Sequence, residues 1–145
     1  MIPVPNAQAE VRELTSFDIL VVEDDEDTRL MLKECIETLT PYHVGAFESA
    51  GEILKRLEAI QQARPRLFIF DLHLPTLTGL QLYDTLHASK GFEHVPMVMI
   101  TALTLNQELQ TALAKAHMTL LRKPFNILEL LDCVERLLSS PAQLI

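Results

Sequence analysis

Two apolar runs in this chain each stop at acids. Ile19-Leu20-Val21-Val22 is followed by Glu23 and Asp24, and Leu67-Phe68-Ile69-Phe70 by Asp71. If both runs are buried strands lying parallel and side by side, the three carboxylates leave the sheet at one edge, in the crevice where open α/β folds bind ligands. Like charges about 4 Å apart repel by roughly 4 kcal/mol at an effective dielectric of 20, so the cluster calls for a cation or a shared proton. A hard divalent ion suits it. Mg2+ fits better than Ca2+, because it takes few protein carboxylates and completes its octahedron with waters and phosphate oxygens. Zinc fits poorly, since His73 is the only His or Cys near these acids in sequence.

Two more residues stand where apolar runs end: Thr101 after 96–100, and Lys123 after 118–122. Together the set has a coherent use. The carboxylates would hold Mg2+, the metal and Lys123 would neutralise a phosphoryl group, and Thr101 would donate a hydrogen bond. Asp71 would supply the attacking oxygen and form an acyl phosphate. Thr101 alone could be a buried hydroxyl bonded to backbone, and Lys123 alone a surface charge. Coincidence at strand ends lifts the functional reading.

The elements that must position these groups are legible as a βα rhythm. Strands are expected over 17–22, 42–47, 67–70, 96–100 and 118–122, with the first, third and fourth apolar throughout, as central strands covered on both faces are. Between and after them, apolar residues recur at helical spacing: Leu32, Cys35, Ile36 and Leu39; Ile53, Leu57 and Ile60; Leu82, Tyr83 and Leu86; Leu105, Leu109 and Leu113; Ile127, Leu130, Leu131, Val134 and Leu138. Five helices follow. Ser49 with Glu52 and Asn126 with Glu129 have the spacing of a capping side chain and its reciprocal acid, and Asp25 and Asp27 are placed to cap the first helix. Gly45, inside the second strand, signals a bulge or a close contact. The fold class is α/β: a single doubly wound domain with five parallel strands and helices on both faces. We expect a mobile N-terminal extension over 1–16, the domain over 17–138 and a tail over 139–145.

The 145 residues suit one domain, and 48% hydrophobic content with 22% charged residues is that of an ordered globular chain. Mean hydropathy is +0.17. A net charge of −8 argues against direct nucleic-acid binding, which needs a basic face. No stretch reaches the 18 or so apolar residues of a membrane span and the start lacks a signal-peptide pattern, so a cytoplasmic protein is expected. Cys35 and Cys133 read as buried reduced thiols, Met97 and Met99 as core filler, and His43, His87, His94 and His117 show no clustered spacing.

The segments ILVVEDDED, FIFDLHLPTLTGLQL, PMVMITALT and LRKPF, in this order over about 105 residues, resemble the receiver domains of two-component response regulators. The resemblance implies a (βα)5 receiver fold with strand order 2-1-3-4-5 and Asp71 as phosphoacceptor. It makes Asp24 a direct Mg2+ ligand, Glu23 one acting through water, and His73 a ligand through its backbone carbonyl. Thr101 becomes the switch hydroxyl, Lys123 the cation that contacts the phosphoryl group, and Pro124 follows a cis peptide. Pro75 and Gly79 match the loop after the acceptor. The implied partners are a sensor histidine kinase or histidine phosphotransfer protein and a downstream protein or effector domain. They would be reached through the surface of the fourth helix, fifth strand and fifth helix, and a phosphorylation-dependent homodimer is compatible. The chain would be no enzyme beyond catalysing its own phosphorylation and dephosphorylation.

It departs from the family pattern at Leu120, where an aromatic switch residue usually stands, and at Lys115-Ala116-His117, where a glycine usually ends the fourth helix. Side chains two past the acceptor and two past the switch hydroxyl, His73 and Leu103, would tune the lifetime of the phospho-form. Two rival readings remain open: an aspartate-nucleophile phosphatase of the haloacid dehalogenase type, against which His73 stands where that class has its second Asp, and a docking-only pseudo-receiver, against which all the site residues are present.

Overall fold

The computed structural model describes residues 16–75, 77–102, 106–115 and 118–139. Of the expected extension and tail only Ser16 and Ser139 fall within them; Leu103, Leu105, Ala116 and His117 lie outside. Elements follow in the order β1 (Ile19–Val22), α1 (Glu26–Leu39), β2 (Val44–Phe47), α2 (Ala50–Lys55), α3 (Leu57–Ala63), β3 (Leu67–Asp71), α4 (Gly79–His87), β4 (Met97–Thr101), α5 (Gln107–Lys115), β5 (Thr119–Arg122) and α6 (Ile127–Leu138). The five strands form one sheet in the order β2-β1-β3-β4-β5, every pair parallel. This is the doubly wound arrangement expected.

Side chains of a strand alternate between sheet faces, and here the alternation sorts the core in two. Leu20, Val22, Phe68, Phe70, Met97 and Met99 join one cluster, with residues of α2, α3, α4 and α5. Their neighbours Ile19, Val21, Leu67, Ile69, Val98 and Ile100 join the other, under α1 and α6. The first face is aromatic and Met-rich: Phe68 stacks on Phe70 at 5.2 Å between centroids and meets Phe92 edge-on at 5.4 Å. Aliphatic side chains predominate in the second. β1 and β3 are buried at every position, as near-continuous apolar runs require.

Three details differ from expectation. The second expected helix is two, interrupted at Arg56 (φ −115°, ψ 24°), yet Ile53 and Ile60 are both fully buried. Periodicity reports the buried face, which both halves keep, and not the continuity of the backbone. The expected fourth and fifth helices are therefore α5 and α6. Leu39, expected on the apolar face of α1, is 57% exposed at that helix's last residue. Cys35 is half-buried, while Cys133 is buried as expected; both are free thiols.

Gly45 keeps regular register with Leu20, so it marks no bulge; a Cβ there would lie 2.8 Å from the Phe17 ring, the close contact that was the alternative. At the edge strand β2, the Val44 amide donates to Glu37 Oε2 (2.8 Å) and the Val44 carbonyl accepts from Lys33 Nζ (2.8 Å). Two side chains of α1 thus bond a backbone that, among the described residues, has no strand on that side. Among the described residues, no helix is long and apolar enough to cross a membrane.

Candidate functional site

Because all strands run parallel, their C-terminal ends share one edge. Glu23 directly follows β1, Asp71 and Thr101 are the last residues of β3 and β4, and Lys123 directly follows β5. Glu23 is 1% exposed, Asp71 6% and Thr101 0%; Asp24 faces solvent. One carboxylate oxygen from each of Glu23, Asp24 and Asp71 lies within 4.8 Å of the others. Lys123 Nζ donates to Glu23 Oε1 at 2.7 Å and to Asp71 Oδ2 at 3.0 Å, and the other Asp71 oxygen accepts from the His73 amide at 2.8 Å. Residues up to 100 positions apart in sequence therefore meet, as strand-end placement foretold.

Lys123 does not neutralise the acids completely. Burial first, and the neighbouring Asp71 carboxyl second, push Glu23 up to about 8 against the lowering effect of Lys123. At Asp71, burial works in the same upward direction but is outweighed by hydrogen bonds from Glu23, the His73 amide and Lys123, so its pKa is lowered. Burial disfavours the Lys123 ammonium, yet the two acids raise its pKa. Burial and the facing Asp71 thus favour a proton held on Glu23, while the hydrogen bonds to Asp71 favour its ionised form. Glu23 Oε2 is buried with no hydrogen-bond partner. One oxygen from each of two further acids lies within 4.8 Å of a Glu23 oxygen, and once Glu23 is ionised the three make a donor set that fits Mg2+.

Local structure fixes these groups. Asp25 caps α1, its carboxylate accepting from the Thr28 amide (2.9 Å) and hydroxyl (2.6 Å), which lowers its pKa. Asp27 lies in the first turn but is not the cap. After Asp71 the chain turns sharply, and the Gly79 amide donates to the Leu72 carbonyl at 2.9 Å. A Cβ on Gly79 would run into the Asp71 carbonyl oxygen and lie 2.8 Å from Met99 Sδ, so only glycine lets α4 start this close to the acceptor. Thr78 and Gln81 close a capping box there. Across the sheet, the Lys123 amide donates to the Thr101 carbonyl at 2.8 Å, and Lys123-Pro124 is cis, as the resemblance implied.

The profile of the family described as response regulator receiver domain matches residues 19–135. The chain belongs to the response regulator receiver family. Curated relatives agree: the Helicobacter pylori chemotaxis protein CheY1 is 30% identical over 107 residues, covering 74% of this chain and 85% of that protein. The sensor histidine kinase TmoS of Ectopseudomonas mendocina is 29% identical over 96% of the chain, which spans only 14% of that kinase's length. Among solved structures, the receiver domain of the Pseudomonas aeruginosa sensor histidine kinase PA1611, described with a magnesium ion coordinated in the active site cleft, superposes with a TM-score of 0.71. It is 25% identical, over 86% of this chain and 99% of that one.

The receiver cluster gathers Glu23, Asp24, Asp71, Thr101 and Lys123. His73 contributes its amide to Asp71, and its side chain is exposed. Leu120 lies on β5 opposite Met99 and is 38% exposed. Sequence reasoning passed over Arg29, whose Nη1 donates to the carbonyls of Glu23 (3.0 Å) and Asp24 (3.5 Å). The signal was its place one turn into α1: helical side chains lean back toward the N-terminus, which sends this one to the acidic loop.

Proposed function

We propose that this receiver domain accepts a phosphoryl group on Asp71 from a phosphohistidine of a sensor kinase or phosphotransfer protein, in a Mg2+-dependent reaction. The observation that carries the reading is Lys123 bridging Glu23 and Asp71 at the edge where Asp24 and Thr101 also stand. Glu23, Asp24, Asp71 and the His73 carbonyl would hold the Mg2+, whose charge would help neutralise the incoming phosphoryl oxygens. The chain's own groups do the rest. The lowered pKa of Asp71 keeps its carboxylate ionised as a nucleophile. An oxygen–phosphorus bond to Asp71 forms as the nitrogen–phosphorus bond to the donor imidazole breaks, and that imidazole leaves with the electron pair and takes up a proton. Lys123 would exchange part of its hold on Asp71 for the phosphoryl oxygens, with Thr101 donating from the β4 end.

Dephosphorylation by water completes the cycle, and no other turnover is assigned to the chain. With Leu120 in place of an aromatic residue, the signal would pass through Thr101 and the segment leading into α5, changing the α5–β5–α6 surface for a partner, an effector domain or a second copy in the cytoplasm. The test is intact-mass analysis after incubation with Mg2+ and a small-molecule phosphodonor. The wild-type chain gains one phosphoryl group and Asp71→Asn gains none. No gain by the wild type refutes the assignment, and sustained turnover of added phosphate esters favours a phosphatase instead.

A further inference from the structure

Arg29 stands where a cation is out of place. The first turn of a helix favours acids, and α1 opens with Glu26 and Asp27. Arg29, one turn in and separated from them by Thr28, brings a guanidinium back toward that end, and its geometry shows what it meets. Its amide donates to the Asp25 carbonyl at 2.9 Å as the first helical bond of that residue, while Nη1 reaches back to the carbonyls of Glu23 and Asp24. The three consecutive residues that leave β1 are therefore held by one side chain and its own backbone. The Asp25 carboxylate fastens the same loop from the other side, onto Thr28. Arg29 donates to main-chain oxygens, leaving both carboxylates of the acidic pair turned to the cluster.

We infer that Arg29 is a positioning residue for the metal site: its grip on the Glu23 and Asp24 carbonyls aims the acidic pair at Asp71. The inference rests on the Mg2+ reading above. It also makes a prediction whose sign separates it from a plain charge effect. If Arg29 acted only through its charge, removing a cation beside an acidic cluster would tighten Mg2+ binding. If it aims the ligands, removing it loosens binding, by about the tenfold typical of groups that orient metal ligands from behind. Arg29→Lys keeps the charge but presents a compact ammonium in place of the planar fork, and loses part of the affinity.

The test is calorimetric titration of MgCl2 into the wild type, Arg29→Ala and Arg29→Lys, paired with hydrogen exchange at the amides of 23–25. Expected are a roughly tenfold weaker Kd for Arg29→Ala, an intermediate value for Arg29→Lys, and faster exchange in the acidic loop while β3 amides stay protected. Equal or tighter binding by Arg29→Ala overturns the inference. Should Arg29→Ala not fold, Arg29→Lys decides: weaker binding supports the assignment and wild-type binding overturns it. Absence of Mg2+ uptake by the wild type would instead refute the metal reading on which this one stands.

Discussion

In buffer with chelator, raising the pH from 5.5 to 7.5 should destabilise this domain, and Glu23 should be the cause. The folded state holds its carboxyl up to about 8 against an ordinary 4.5. Between those values the native protein keeps a proton that the unfolded chain has lost, so stability is greatest below 4.5 and falls as pH rises toward 8. The slope for one proton is about 1.4 kcal/mol per pH unit while the native carboxyl stays protonated and eases as pH nears 8, giving roughly 2.5 kcal/mol over the two units. For a domain of this size that is a drop of about 10 °C in Tm. Asp71 and Lys123 are silent in this window. The contribution of Asp71, whose pKa is lowered, is in place above its ordinary 3.8 and is lost only as pH falls. That of Lys123, whose pKa is raised, is in place below its ordinary 10.5 and is lost only when pH climbs past it. The assay is thermal unfolding followed by circular dichroism. Histidine as a residue type also changes charge in this range, so the measured quantity is the difference in slope between wild type and Glu23→Gln. Saturating Mg2+, which favours the ionised carboxyl, should flatten the wild-type slope. Identical slopes for wild type and Glu23→Gln in chelator would refute the reasoning.

The same shared proton predicts that Mg2+ uptake at pH 7 releases close to one proton; calorimetry in two buffers of different ionisation heat measures it, and the release should vanish in Glu23→Gln. Gly79→Ala should cost roughly 1–3 kcal/mol in urea unfolding, since its Cβ meets the Asp71 carbonyl and Met99 Sδ, and should also slow phosphorylation by displacing the acceptor. Asn126→Ala removes the cap that accepts from the Glu129 amide at 2.8 Å and should destabilise by about 1 kcal/mol. Leu128→Ala, two residues on and 78% exposed, should shift stability by no more than about 0.5 kcal/mol in the same assay.

How far the sequence reaches depends on the kind of signal each feature leaves. Glu23, Asp71, Thr101 and Lys123 could be found because each ends an apolar run, and parallel strands necessarily align their ends. The sheet was readable from short runs such as Leu67 to Phe70, whose length and Phe and Ile content suit a strand covered on both faces. The break at Arg56 carries no Pro or Gly and leaves the buried face of Ile53 and Ile60 intact, so periodicity is blind to it. Leu39 has the spacing of a core residue but is the last residue of α1 and stays exposed. The reciprocal acids of the caps were half right. Glu129 accepts from the Asn126 side chain at 3.0 Å, whereas the full capping box is Thr78 with Gln81, a pair that spacing alone did not single out. Arg29 and the Lys33–Glu37 pair act on main-chain atoms, and sequence patterns that compare side chains with side chains do not register such contacts.

The way α1 finishes the sheet has a consequence for how the protein behaves in company. The outermost strand of any open sheet is a template that a stray chain can extend, and at Val44 both the donor and the acceptor of that template are already taken, by a carboxylate and an ammonium 3.4 Å apart. An intruding segment would first have to prise apart an ion pair, then bury its charges. At Val44 the helix that also presents the acidic loop occupies the rim, so the scaffold of the site doubles as a partial cap on an open edge.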